Sequence, residues 1–394
     1  MPDLHEYKEL ESRYLMPTYA RSDVAVVSGS GATFTDADGC RYIDFGSGIG
    51  VNCLGSADKE WAQAVGAQAA TLAHCSNLYY NPVQIAFARE LCQATGFSKA
   101  FLCNSGAEAN EALIKLARKY ACDTYGDSRP TIVALDNSFH GRTVTTLSAT
   151  GQADFHRFFG PFTEGFRFTP ANDIASMEKA LSGDVCAVLL EAIQGEGGVL
   201  PLDAQFVQKT AELAKSRGIL LLFDEVQTGV GRTGRFFGFE HFGVRADAVS
   251  LAKALGGGLP IGALLCSEAL GGVLSAGTHG STFGGNPVAC AGGRVVLSRV
   301  AKPEFLSAVA EKGEYIAGRL RKMPGVKNIR GMGLMIGFEI EGVSAKAAAA
   351  QLLSRGLVIL TAKTALRMLP PLVITRGEID EGLAILEQAI AQGI

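Results

Sequence analysis

The sequence lacks what would commit it to a membrane, a nucleic acid or an oxidised compartment. No apolar run approaches the ~20 residues that a membrane-spanning helix needs. The opening stretch, MPDLHEYKELESRY, is too acidic and polar for a secretory signal. Neither sign of charge dominates: 36 lysines and arginines stand against 39 aspartates and glutamates. No basic field therefore invites a polyanion, and small charged metabolites fit better than nucleic acid. The nine cysteines are scattered without a C-x-x-C pair. Most lie in apolar settings such as Phe101-Leu102-Cys103 and Ala263-Leu264-Leu265-Cys266, which suits small core residues in a reducing compartment rather than a disulfide framework or a zinc site. The six histidines are dispersed too, so no metal centre is expected, and the chain reads as cytoplasmic. What it has in quantity is core, since 394 residues at 47% hydrophobic content suffice for two domains or one large domain with lobes.

The most informative stretch is 218–262, GILLLFDEVQTGVGRTGRFFGFEHFGVRADAVSLAKALGGGLPIG. Its apolar run 219–223 predicts a strand buried on both faces, with Asp224 and Glu225 at its carboxyl end. A second run, 248–252, delivers Lys253 just before Gly256, Gly257 and Gly258. Ligands of open α/β sheets bind at the carboxyl ends of strands, so an acid and a lysine are expected at one crevice. Burial beside glycine-rich backbone lowers a lysine's pKa, and a neutral amine can form a Schiff base with a carbonyl. Gly229, Gly231 and Gly234, with Asp247 further on, match a dinucleotide fingerprint in spacing. The residues that follow are aromatic and glycine-broken instead of opening a helix, so these glycines are read as shaping a loop.

Elsewhere, a hairpin is expected over 24–27 and 33–35, leading into a strand at 42–45 and the glycines Gly46, Gly48 and Gly50. Helices are expected over 59–73, with Trp61, Val65 and Leu72 toward the core, and over 82–94. A strand at 100–103 feeds Asn104-Ser105-Gly106-Ala107-Glu108, where Ser105 and Glu108 have capping-box spacing and open a helix at Gly106. Such a start offers N–H groups to a phosphate, and equally is an ordinary helix start. Strands at 131–135 and 185–190 run into Phe139-His140-Gly141-Arg142-Thr143 and Glu191-Ala192-Ile193-Gln194-Gly195-Glu196. By themselves Phe139, Arg142 and Glu196 read as a core phenylalanine and two solvated charges. Beyond about Gly292, helix-like segments 297–323, 345–355 and 378–391 alternate with strands at 334–340 and 357–360, and Thr375 with Glu378 forms another capping box.

DEVQTGVGRTG followed by LAKALGGGLPIGA resembles the class III, fold type I aminotransferases that use pyridoxal 5'-phosphate. Within that group, CSNLYYN at 75–81 and FHGRT at 139–143 resemble acetylornithine aminotransferases. The resemblance implies an α/β fold with a large domain, built on a mostly parallel seven-stranded sheet flanked by helices, and a smaller α/β domain formed from the chain termini. Residues 1–50 would join the small domain, 51–290 form the large one and 291–394 complete the small one. Lys253 would carry the cofactor and then act as base and acid, while Asp224 keeps the pyridine nitrogen protonated. An opposite charge about 4 Å away is worth roughly 4 kcal/mol at an effective dielectric of about 20. By the same resemblance Gln227 bonds the ring's phenolic oxygen and Phe139 stacks on the ring. Ser105, Gly106 and Ala107 hold the phosphate, with Ala107 where many relatives have threonine. Thr282 would reach the phosphate of a neighbouring subunit, making the homodimer a requirement of the site, and Ser281 lies beside substrate.

Arg142 would grip the substrate α-carboxylate, and Glu196 would pair with Arg367 as a switch between substrates. Gly48 falls where ornithine aminotransferases place a tyrosine, leaving room for an acylated substrate end; a simple turn is the alternative. The expected reaction moves the terminal amine of N2-acetyl-L-ornithine to 2-oxoglutarate. Its rivals are transamination of succinylornithine, ornithine, 4-aminobutyrate or an acyl-lysine precursor, glutamate semialdehyde aminomutation, and a non-catalytic binding protein.

Overall fold

The computed structural model describes residues 3–394; Met1 and Pro2 of the polar opening stretch lie outside the described residues. At its centre is a seven-stranded sheet. Its spatial order is Lys99–Cys103, Gly262–Cys266, Ala248–Leu251, Leu220–Asp224, Val185–Leu190, Thr131–Leu135 and Phe166–Thr169. Gly262–Cys266 is antiparallel to both neighbours, and the other observed pairings are parallel. Strands at the middle are buried at every residue, as an apolar run without alternation requires when both faces are covered.

Period-two geometry divides that core in two. Leu220 and Leu222 join Ala187, Leu189 and Ile132 under Leu113, Leu116 and Ala117 of the helix Gly106–Tyr125. Leu221 and Phe223 point the other way, into a larger cluster with Phe206, Val207, Phe237 and Phe239. The sheet is thus sandwiched, and its carboxyl edge is free to build a site.

The two chain ends share a second layer. Val26–Ser30, Thr33–Asp36 and Arg41–Asp44 form an antiparallel meander, and Leu357–Val358 adds to it in parallel, pairing Leu357 with Ile43. Another four-stranded sheet orders Val326–Met332, Met335–Ile340, Ala365–Met368 and Leu360–Ala362, all antiparallel.

Several expectations need correction. The helical segment 297–323 is two helices, Pro287–Val300 and Pro303–Leu320. Pro303 lacks the N–H a continuous helix needs and serves instead as a first-turn residue. Leu72 is 41% exposed instead of buried, because it caps the helix Lys59–Thr71 in an extended conformation. The strand expected over 357–360 is two short ones, and Ala365–Met368 is a strand that alternation did not reveal. No helix among the described residues is long and apolar enough to cross a membrane.

Candidate active site

A cavity of about 480 Å³ opens at the carboxyl edge of the large sheet. Strand register places its acids. Phe223 lies opposite Leu190, so Asp224 and Glu191 come side by side where the two strands end, and both line the cavity. Lys253 follows the neighbouring strand Ala248–Leu251 and enters the same space. Its φ of 47° is left-handed, a strained backbone for a side-chain-bearing residue that typically persists only where the surroundings enforce it. Burial lowers the Lys253 pKa from its ordinary value, while Glu196 and Asp224 pull the other way. The net direction favours a neutral amine.

Asp224 is held by four donors. Asn110 Nδ2 and His140 Nδ1 donate to Oδ2 at 2.7 and 2.8 Å, and Val226 N–H and Ser250 Oγ donate to Oδ1 at 3.0 and 3.4 Å. Burial works against a charged His140, but the hydrogen bond and charge of Asp224 outweigh it and raise the imidazole pKa. Glu191 differs: burial, with Asp224 adding to it against the opposing His140, pushes its carboxyl up to about 7. It accepts from Phe139 N–H at 2.9 Å, fixing the backbone that presents the Phe139 ring.

The helix Gly106–Tyr125 meets the cavity with its N-terminus. Ser105 accepts from Glu108 N–H at 3.2 Å, but the reciprocal bond of a capping box is shifted, with Glu108 accepting from Asn104 N–H at 2.9 Å. Gly106 and Ala107 line the cavity, and Ala109 N–H makes the first intrahelical bond, to Ser105 O. The two earlier N–H groups are therefore left for an anion. A Cβ at Gly106 would come within 2.8 Å of Val226, so the approach is open only to glycine without movement of that wall.

Arg142 is exposed, lies over the Phe155 ring with its guanidinium carbon 4.0 Å from the centroid, and has no ion-pair partner among the described residues. Arg367 is its opposite. Only 3% exposed, it donates to Glu196 at 2.6 Å and to Gln227 Oε1 at 3.1 Å. Burial alone would raise the Glu196 pKa; the charge of Arg367 reverses this and holds it below the ordinary value. Glu196 and Gln227 line the cavity and Arg367 stands behind them. Ser281 is one hydrogen bond removed, accepting from Asn104 Nδ2 at 3.0 Å. Thr282 is exposed outside the lining.

Ser47, Gly48, Ile49 and Gly50 form one left-handed turn with φ of 43, 62, 62 and 77°. Gly48 and Ile49 are exposed beyond the cavity, and from this stretch only Val51 lines it.

Asn110, Glu191 and Ser250 were not singled out by sequence reasoning, and His140 entered only as part of a motif. Two of them leave a signal. Asn110 is a polar residue within the buried side of an amphipathic helix, and Glu191 follows a fully apolar strand just as Asp224 ends its own. Glu225, beside Asp224 in sequence, points away from the cavity and accepts from Thr228 Oγ1, Gly238 N–H and Phe239 N–H at 2.6, 2.9 and 2.9 Å. Burial outweighs these donors and raises its pKa from 4.5 to about 7. A raised folded pKa contributes stability below the unfolded value that is lost as pH climbs to about 7. Against Glu225→Gln, the wild-type apoprotein is thus expected to lose about 2 to 3 kcal/mol more stability between pH 5 and 8 in urea unfolding. Parallel pH curves would contradict this.

The donor set suits pyridoxal phosphate part by part: free N–H groups for the phosphate, an aromatic face at Phe139, an anchored carboxylate for a ring nitrogen, and an amine of lowered pKa for the aldehyde. Residues 16–390 match the family model described as aminotransferase class-III. An acetylornithine aminotransferase of Haemophilus ducreyi is 47% identical over 98% of this chain and 99% of its own length, and one of Caldanaerobacter subterraneus is 46% identical over 97% and 98%. Among solved structures, an ornithine aminotransferase from Toxoplasma gondii superposes with a TM-score of 0.95 at 32% identity, covering 100% of this chain and 96% of that one. For an acetylornithine aminotransferase from Elizabethkingia anophelis the values are 0.88, 30%, 100% and 100%. With these motifs, this fold and this cavity, the chain belongs to the class-III aminotransferases and is a pyridoxal-phosphate-dependent enzyme that passes an amino group from a donor to a keto acid.

Proposed function

We propose that the amino donor is N2-acetyl-L-ornithine and the acceptor 2-oxoglutarate, giving N-acetylglutamate 5-semialdehyde and glutamate, the chemistry of arginine biosynthesis. One observation carries the choice of a donor that reacts through its terminal amine: two arginines attend the cavity in opposite conditions. Arg142 is unpaired among the described residues and lines the cavity, whereas Arg367 is neutralised by Glu196 behind it. A donor reacting through its terminal amine needs one cation for its distant α-carboxylate and none close to the reacting carbon. Glutamate, reacting through its α-amine, needs a second. Among such donors, the names of the two acetylornithine aminotransferases that this chain resembles support the acetylated one.

When bound, pyridoxal phosphate supplies an aldehyde that takes up amines and a ring that accepts the electron pair left by a departing C–H proton. Lys253 Nζ removes and returns that proton. Asp224, braced by Asn110 and His140, holds a proton at the ring nitrogen. Arg142 orients the substrate through a planar two-point grip on its carboxylate. Displacement of Glu196 exposes Arg367 to the α-carboxylate of glutamate.

The site is completed by a second copy of the chain. Leu78, Tyr79, Tyr80 and Phe283 are 85, 69, 96 and 60% exposed, and Asn77 Nδ2 ties their two segments together through Ser281 O and Gly284 O, both at 2.9 Å. An apolar patch of this kind suits burial in a homodimer, with Thr282 offered to the neighbour's cofactor phosphate. Light scattering is expected to give a dimer; a monomer with full activity would refute the shared site.

A panel of acetylornithine, succinylornithine, ornithine, 4-aminobutyrate and acyl-lysine precursors against 2-oxoglutarate tests the donor. Acetylornithine is expected to give the highest kcat/KM. In single-turnover spectra, Arg367→Ala is expected to slow the glutamate half-reaction about 100-fold, the worth of a lost charged hydrogen-bonded pair. An unchanged glutamate half-reaction would remove Arg367 from that role.

A further inference from the structure

We infer that Arg232, in the loop Gly229–Gly234, is a positioning residue for Arg367 and thereby sets how well the enzyme accepts the glutamate-side substrate. The inference rests on the assignment of Arg367 to glutamate's α-carboxylate.

Arg232 is 1% exposed, the largest fully buried side chain among the described residues, and it has no ion-pair partner there. Burying an unpaired guanidinium is costly, so its retention calls for a specific use. Its Nη1 donates to two carbonyls at once, Leu334 O at 3.1 Å and Pro370 O at 2.5 Å. Its own carbonyl accepts from Leu334 N–H at 3.0 Å.

Those two carbonyls belong to adjoining strand ends. Leu334 precedes Met335–Ile340, Pro370 follows Ala365–Met368, and the strands pair antiparallel with Gly337 opposite Arg367. A single side-chain nitrogen therefore clamps the open end of the ladder that presents Arg367, three residues from that arginine. The surroundings make the clamp rigid. Gly333 passes so close that a Cβ there would lie 2.4 Å from the Thr233 carbonyl carbon. Leu369 N–H donates to Phe45 O at 2.7 Å, and Ser47 Oγ donates to Leu369 O at 2.5 Å. The nearby Asp44 carboxylate accepts through Oδ1 from Gly46 and Ser47 N–H at 2.8 Å each and favours the charged guanidinium from a distance, without forming an ion-pair contact with it. Arg232 Nη2 is left buried without a partner, as expected of a group retained for its clamp and not for a balanced polar network. Sliding this strand end would move Arg367 relative to Glu196 and Gln227, and misplacement of about 1 Å at a positioning group can cost up to about 100-fold.

The test uses holoenzyme and follows each half-reaction separately by absorbance. Arg232→Gln is expected to weaken glutamate about tenfold or more, mainly through its apparent Kd, and to weaken binding of glutarate, an unreactive diacid, in parallel. Arg232→Lys is expected to restore part of both. The acetylornithine half-reaction should change less than about threefold, and in an Arg367→Ala background Arg232→Gln should add less than about threefold for glutamate. Equal losses in both half-reactions, an unchanged glutamate Kd, or full additivity with Arg367→Ala would overturn the inference. If neither Arg232 variant yields holoenzyme, Ser47→Ala loosens the same strand end by removing the Ser47 Oγ to Leu369 O hydrogen bond without removing the guanidinium. It is then expected to reproduce the selective loss of glutamate and glutarate affinity, and a glutamate Kd equal to wild type would overturn the inference. Failure of the underlying assignment is distinguishable, because Arg367→Ala in the otherwise wild-type enzyme would then leave both glutamate and glutarate affinity unchanged, whatever Arg232→Gln does.

Discussion

Replacing Lys253 with methionine is expected to lower turnover at least about 10⁴-fold, the upper range of what one acid-base group supplies. Methionine has nearly the same length and suits apolar walls, so the packing of Ala254, Leu255 and Gly256 behind it need not change. What disappears is one nitrogen. Its chemistry is prepared by the fold, because burial disfavours the ammonium form and the left-handed backbone at φ 47° aims the side chain into the cavity. The charges of Glu196 and Asp224 pull against that fall in pKa. Borohydride treatment of the holoenzyme should fix the cofactor's mass at Lys253 in the wild type and leave the variant unmodified. A Lys253→Met enzyme within tenfold of wild-type kcat would show that another group moves the proton.

Five strands of the large sheet, and the acid and lysine at its carboxyl edge, were legible because they follow short-range rules. An apolar run without alternation marks a strand covered on both faces, and a polar residue at its carboxyl end marks the crevice; Asp224 and Lys253 were found this way, and Glu191 obeys the same rule though it was not singled out. The strands Phe166–Thr169 and Gly262–Cys266 escaped notice for opposite reasons. The first is a four-residue edge strand, mostly half-buried, too short for a periodic signal to stand out. The second is an apolar run broken from Lys253 only by a glycine-rich turn, and no local signal gives its antiparallel direction. Arg367 was placed in the site only by resemblance. Its strand Ala365–Met368 is buried at all four residues, and a buried arginine in such a run is intelligible only once Glu196, 171 positions away, is beside it. The role of GVGRTG is long-range in the same sense. Its glycines do shape a loop, with φ of 84° at Gly231 and 85° at Gly234, but the partners of Arg232 lie more than 100 residues further along the chain.

Asp224→Asn is expected to lower kcat about 10³-fold. A carboxylate about 4 Å from a ring nitrogen is worth roughly 4 kcal/mol at a protein-like dielectric, and about 1.4 kcal/mol corresponds to tenfold in rate. Asparagine keeps the volume but cannot keep the bonding. Both Asp224 oxygens accept from donors: Asn110 and His140 on one side, Val226 N–H and Ser250 on the other. Either orientation of an amide turns its NH₂ toward one of those pairs, at a cost of about 1 to 3 kcal/mol for the unsatisfied groups. Rate and stability should therefore fall together, and His140 separates the two effects. Its pKa is raised above 6.5 because Asp224 accepts from it. That interaction contributes stability in full below the unfolded pKa, and the contribution is lost as pH rises through the folded one. In Asp224→Asn the imidazole pKa, followed by NMR, should drop below its wild-type value, since burial then acts without the opposing charge. Asp224→Glu, which retains the charge but displaces it by one methylene, should keep His140 elevated while still losing rate. If Asp224→Asn lowered the His140 pKa yet left kcat within tenfold of wild type, the carboxylate would be a structural partner of the imidazole, and protonation of the ring nitrogen would have to be secured by a different group.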